Sequence, residues 1–444
     1  MNSRRTPLIP ATRKVSFSCF RGFVASCFRG FVPSWFDGLA MACCLTVCGG
    51  LGIVFAQNRS PDWPQWRGPN RDGAVASFTE PKSWPDQLAR KWKVDVGLGY
   101  ASPVLVGNRL YMFARRGENE VLSALDSDTG REIWQSSYAA PFTVNPAAAR
   151  HEKGPKSTPT FANGKLYTFG MTGIVTAFDA ATGKQVWQKA APPVTPLYHT
   201  AMSPLVDRGA VIVHVGGHNK GALTAFDAST GTEKWKWTGD GPSYSSPIAA
   251  DFSGTRQVIV LTQEHVVGVS ATSGELLWKR PFSTQFTQNV ITPIIYGDIV
   301  IVSGLEKPVT AFKVLKRDNQ WTIENVWENA DLPLYMTNGV VVGDTLFGMT
   351  HKNSGQFFAV DAKTGKTLWT SPPRQATNAA IVHAGDVLFM LKDDAELIVA
   401  KASASAFVPV KRYTVADSAT WAQPTISGNR MFVKDTNSLT LWTW

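Results

Sequence analysis

The sequence predicts an all-β chain, an eight-bladed β-propeller of four-stranded antiparallel blades closed by an N-terminal strand that joins the last blade. Three observations carry this expectation. A strand, a polar turn with glycine and a second strand ending in tryptophan recur roughly every 40–55 residues, the range of propeller and solenoid repeats. A further hairpin precedes each of these, so one repeat holds four strands. The final repeat stops one strand short, and a spare copy of that strand lies ahead of the first repeat.

Taken from the N-terminus, residues 1–56 read as a leader. Arg4, Arg5, Arg13, Lys14, Arg21 and Arg29 precede an uncharged apolar stretch at 39–55 (LAMACCLTVCGGLGIVF), and Val54-Phe55-Ala56 supplies small residues for cleavage before Gln57. That order is the one of a secretory signal. A retained membrane anchor is the alternative, because the stretch lies near the lower limit for a bilayer span. The reading is therefore an exported protein, periplasmic or secreted, that meets a membrane only through an uncleaved leader. All five cysteines, Cys19, Cys27, Cys43, Cys44 and Cys48, fall in this segment, so the rest of the chain has no disulfide staple and no thiol nucleophile. The leader also carries much of the net charge of +10, leaving about +5 beyond it. No Lys/Arg stripe interleaved with aromatics remains, and nucleic acid is not an expected partner.

Residues 57–88 read as an N-terminal extension and residues 89–444 as the propeller. The repeat is clearest at 124–134 (ALDSDTGREIW) and 177–187 (AFDAATGKQVW), with Asp126, Gly130 and Trp134 matching Asp179, Gly183 and Trp187. Asp227, Gly231 and Trp235 form a third copy, Asp361, Gly365 and Trp369 a fourth, and Gly274 with Trp278 a looser one. Asp and Thr side chains bond to backbone groups within a turn, Gly supplies positive φ, and the chain reverses into the strand that ends at Trp. Upstream hairpins turn at Gly107-Asn108 and Asn163-Gly164. First strands begin near Pro103, Pro159, Pro204, Pro247, Pro293, Gly339, Ala380 and Pro424, which gives eight blades. The last has no fourth strand, and residues 89–95 (ARKWKVD) supply it. Pairing the two ends seals the ring and leaves only short sheet edges.

The Ala-x-Asp-x-x-x-Gly-x-x-x-Trp element resembles the tryptophan-docking motif of the PQQ-binding-like, or quinoprotein alcohol dehydrogenase-like, propeller repeats, and is similar to the repeats of the outer-membrane assembly scaffold BamB. Residues 63–73 (WPQWRGPNRDG) resemble the opening segment of secreted bacterial members of this group. The resemblance implies either a binding scaffold or a quinone-dependent oxidoreductase. In the second case it implies PQQ, a calcium ion held by acidic and amide side chains, a carboxylate base and often a vicinal disulfide. Fold alone does not choose between them.

The recurring Asp, Gly and Trp residues are expected to be structural, since aromatic area buried between blades holds such a ring. A binding site is expected where blades differ, just before each first strand. Those positions are Tyr100, Lys156, His199, Tyr244, Asn289, Tyr335, Asn378 and Trp421, which would line one mouth of the central channel and suit a small ligand or peptide. The bland alternative is a set of rim residues that steady their loops. His214 and His218 have helical spacing but fall where a strand meets a glycine turn, so they are not expected to form a metal pair. His151 lies in a charged insertion between the first two repeats. Asp393, Asp394 and Glu396 lack the spaced oxygen ligands of a calcium loop, and no GxSxG elbow is present. The primary expectation is a non-enzymatic envelope scaffold that binds proteins or peptides at the channel mouth or along an exposed strand. The alternatives are the PQQ- and calcium-dependent oxidoreductase and a sugar-binding or hydrolytic propeller stacking glycans on Tyr100, Tyr244 and Trp421.

Overall fold

The computed structural model describes residues 62–76, 78 and 80–444. Residues 1–56, read from the sequence as a leader with its cysteines and an expected cleavage after Ala56, lie outside the described residues. Eight four-stranded antiparallel sheets follow one another along the chain, at 104–139, 160–189, 205–237, 248–281, 294–329, 340–370, 379–414 and 425–443. The eighth takes its outer strand from Ala89–Asp95, which pairs antiparallel with Ser438–Thr443. Arg90 stands opposite Trp442 and Trp92 opposite Leu441, so the two ends of the ring share one blade.

First strands are short and touch those of neighbouring blades, which puts them on the inside. Second and third strands are buried on both faces, as in Asn119–Asp126, because each sheet packs against the next. Outer strands such as Glu132–Ala139 alternate exposed and half-buried residues, so one face is covered and one is wet. The apolar core is accordingly a circle of inter-blade clusters; one joins Trp63, Leu105, Phe389, Phe432 and Leu441 across blades 7, 8 and 1.

The repeat explains this packing at the level of atoms. Asp126 Oδ1 accepts from the backbone N–H of Asp128 and Thr129 (3.2 and 2.9 Å) and from the Thr129 hydroxyl (2.7 Å), while Gly130 closes the turn at φ +71. Asp179, Asp227 and Asp361 repeat the arrangement. Across the hairpin each tryptophan faces a small residue: Ala124 opposite Trp134, Ala177 opposite Trp187, Ala225 opposite Trp235 and Ala359 opposite Trp369. The indole is thereby free to reach the next blade. Four indoles cover the next blade's turn glycine and donate Nε1–H to the equivalent carbonyl of that turn: Trp134 to Ala180 (3.3 Å), Trp187 to Ala228 (3.1 Å), Trp235 to Ala271 (3.1 Å) and Trp327 to Ala362 (2.9 Å), whereas Trp369 bonds Ser403 O (2.8 Å) in a turn without glycine. Burial of each ring contributes about 2–3 kcal/mol.

Blade 4 departs from this pattern. Blade 5 turns at Asp318-Asn319, both at positive φ, and offers no glycine for docking. Trp278 instead lies on Gly268 of its own blade and donates to Gln257 Oε1 at 2.6 Å.

Candidate functional site

The segment before the propeller occupies the middle of the ring. Trp63 exchanges two backbone hydrogen bonds with Leu105 of blade 1 (2.8 and 3.1 Å), and Phe161 of blade 2 donates to Pro64 O. On the opposite side Val75 N donates to His383 O of blade 7, and His383 N to Gly73 O. Between these anchors the chain turns through positive φ at Arg67, Gly68, Arg71 and Gly73. Two arginines point into the protein and are fully buried. Arg67 Nη2 donates to Gly339 O of blade 6 (2.7 Å), and Arg71 donates to Pro247 O of blade 4 (2.8 Å) and to Pro204 O of blade 3. Burial lowers their pKa to about 10 and about 9, so both stay charged at neutral pH. Trp66 Nε1 donates to Thr292 Oγ1 of blade 5 (3.0 Å). One short segment thus bonds to seven of the eight blades, counting blade 5 through Trp66, and plugs the channel.

Above the plug lies a cavity of about 530 Å³ whose lining includes Trp66 and residues just before the first strands. Of the eight positions expected at the mouth, Tyr100, Lys156, Tyr244, Tyr335, Asn378 and Trp421 line it. His199 and Asn289 do not. His199, at φ +63, turns away to pack on Phe142 (4.4 Å between ring centroids) and to bond Thr143 O through Nε2 (3.0 Å). Asn289 is fully buried and donates Nδ2–H to the carbonyls of Thr262 (2.7 Å) and Gln263 (3.1 Å), which makes it a loop brace. The expectation assumed one phase for all blades, and loop lengths break it.

Sequence reasoning missed Trp66, Arg150, Tyr198, Gln288 and Asn338, all part of the wall. Arg150 and His151 end a 3₁₀ turn at Pro146–His151 in the long insertion between blades 1 and 2, which folds back over the mouth. His151 packs edge-on against Trp421 (4.5 Å), and its Nε2 accepts from Arg150 Nε (3.1 Å). Burial, then the charges of Arg150 and Lys156, push His151 down to about 4, so it is neutral. Burial also pushes Lys156 down to about 8. Tyr244 accepts from Tyr198 N (3.1 Å), and burial raises its pKa well above the usual phenol range. Phe286 and Leu197 stand exposed near the rim.

His214 and His218 do not converge on a metal. His214 is buried and bonds Asp240 O, while His218 packs against Tyr244. Lys392 pairs with Asp394 (2.9 Å) and Glu396 (2.7 Å), so those carboxylates are neutralised by a cation.

A family model described as outer membrane protein assembly factor BamB (PQQ_2) matches residues 117–371, more than half of the chain. The chain belongs to this family. Among curated BamB relatives, the protein of Burkholderia pseudomallei (strain K96243) is 24% identical over 356 residues, covering 68% of this chain and 85% of its own. That of Yersinia pestis is 22% identical over 300 residues, covering 63% and 69%. Among solved structures, BamB from Moraxella catarrhalis superposes with a TM-score of 0.57 at 15% identity, over 80% of this chain and 100% of that one. Quinohemoprotein alcohol dehydrogenase from Comamonas testosteroni gives 0.59 at 15% identity, over 87% and 81%. At such identities the likeness to BamB and to the dehydrogenase in these structures shows the shared propeller.

The quinoprotein arrangement does not fit these residues. No Asp or Glu lines the cavity, and among the described residues no group of three His, Cys, Asp or Glu could hold a metal ion. The donor set of the cavity supplies neither acidic calcium ligands nor a carboxylate base.

Proposed function

We propose that this chain is a non-enzymatic scaffold of the cell envelope that serves outer-membrane protein assembly, as the name of its relatives describes for them. The family match over residues 117–371 carries the reading. Its repeats support it, because the positions that recur most strictly, the turn Asp, the glycine and the docking Trp, are spent on holding blades together. Protein partners in the envelope meet the channel mouth, where exposed Phe286 lines the cavity together with Tyr198 and Trp421 and exposed Leu197 precedes Tyr198, a combination suited to a protein interface. Export depends on the leader.

The test is deletion of the gene in its own host, with quantification of folded outer-membrane β-barrel proteins, together with photo-crosslinking from position 286. Lower barrel levels, restored by the full chain, and crosslinks to envelope proteins are expected. Unchanged barrel levels with no crosslink would refute the scaffold reading.

A further inference from the structure

The cavity above the plug has a chemistry that a protein interface does not require. Its volume of about 530 Å³ lies in the range of small-molecule sites. Trp66, Tyr100, Tyr198, Tyr244, Tyr335 and Trp421 form aromatic walls. Its charged residues are all basic: Arg150 and Lys156 line it, His151 is neutral, and Asp and Glu are absent from the lining.

The polar groups in the wall are short of acceptors. Lys156 Nζ has only the Met171 sulfur within reach, at 4.0 Å, and neither it nor Arg150 forms an ion pair among the described residues. Glu152 acts on Lys156 only through its field, from outside the lining. Asn338 is fixed by its oxygen, which accepts from Thr292 N at 2.7 Å, and Asn378 by its oxygen, which accepts from Thr337 Oγ1 at 2.9 Å. Both amides therefore keep Nδ2–H donors with no partner among the described residues. The hydroxyls of Tyr100, Tyr244 and Tyr335 and Trp66 Nε1 are already bonded within the protein, whereas the Tyr198 hydroxyl has no partner among the described residues. A partly buried ammonium and two spare amide donors between aromatic walls call for a ligand that brings negative charge, accepts hydrogen bonds and carries a flat or apolar body.

We propose that the channel mouth is a binding site for a small organic acid, its carboxylate held by Lys156 with support from Arg150 and the asparagine amides, and its carbon body held between the aromatic rings. The inference does not depend on the assembly role and can fail without it.

The test is calorimetric titration of the purified chain at neutral pH with phenylacetate and indole-3-acetate, and with phenylacetamide and indole-3-acetamide as neutral isosteres. Saturable binding of at least one acid is expected, with its amide weaker by about tenfold or more. Lys156→Met should cost a similar factor and Lys156→Arg should restore most of it. Asn378→Asp, which places a carboxylate in the wall, should abolish acid binding while the thermal midpoint stays near that of the parent. Equal binding of acid and amide, saturation by neither acid at about ten millimolar, or acid binding untouched by both Lys156→Met and Asn378→Asp would overturn the proposal.

Discussion

The indole of Trp92 lies against Gly130, so closely that a Cβ on this glycine would fall 2.8 Å from the ring, and its Nε1 donates to Ser127 O at 3.2 Å. A residue of the N-terminal strand thereby does for blades 8 and 1 what Trp134 does for blades 1 and 2. Gly130→Ala adds a clash to a residue held at φ +71 and should cost about 2 kcal/mol or more. Trp92→Ala should cost a similar amount. Denaturant unfolding checks both; losses below about 0.5 kcal/mol would show that this contact does not secure the ring.

Arg71→Met tests the plug. The substitution leaves the buried Pro247 carbonyl without its donor, at about 1–3 kcal/mol, while the Pro204 carbonyl keeps the Thr160 hydroxyl at 2.6 Å. Arg71→Lys should recover less than half of the loss, because one ammonium cannot reproduce the reach of the guanidinium fork. Thermal unfolding of the three proteins decides the matter, and a neutral Arg71→Met would mean the segment only rests on the channel.

Acid sensitivity should trace in part to His214. Its Nε2 lies 3.1 Å from Asp240 O and so carries the proton, while Nδ1 is buried with no partner among the described residues. Burial pushes its pKa down to about 4. Because the unfolded chain takes up this proton near pH 6.5 and the folded chain only near pH 4, stability is present above the unfolded value and falls as pH drops through that window. The loss by about pH 4.5 is on the order of 2 kcal/mol. His214→Gln should remove most of this difference; an unchanged pH dependence would place the acid sensitivity elsewhere.

Export should leave Gln57 as the first residue. Mass spectrometry of the protein from the envelope fraction checks this, and an intact leader found in membranes would favour the anchor.

Much of the architecture was legible because it rests on local chemistry. Asp126, Gly130 and Trp134 are a turn and a strand end, readable within eleven residues, and the orphan strand around Trp92 was betrayed by its likeness to the others. The mouth was legible in part. Tyr100 and Trp421 sit where the repeat phase puts them, whereas His199 and Asn289 were displaced by the loops before their strands. The plug was not legible: Arg67 and Arg71 bond to carbonyls more than a hundred residues away, and no pattern near residues 63–73 announces such partners. Trp278 looked like a docking residue because its own blade keeps the motif, and the exception arises from the turn of the blade beyond it.

The pairing of Ala89–Asp95 with Ser438–Thr443 has a consequence for biogenesis. The ribosome delivers the first of these strands ahead of the blades and the second after seven of them, so the circle cannot lock until the eighth blade has emerged. Seven blades must meanwhile persist as an open arc with unsatisfied flanks, a slow, long-range assembly exposed to aggregation. Such an arc needs shelter until its closing strand arrives.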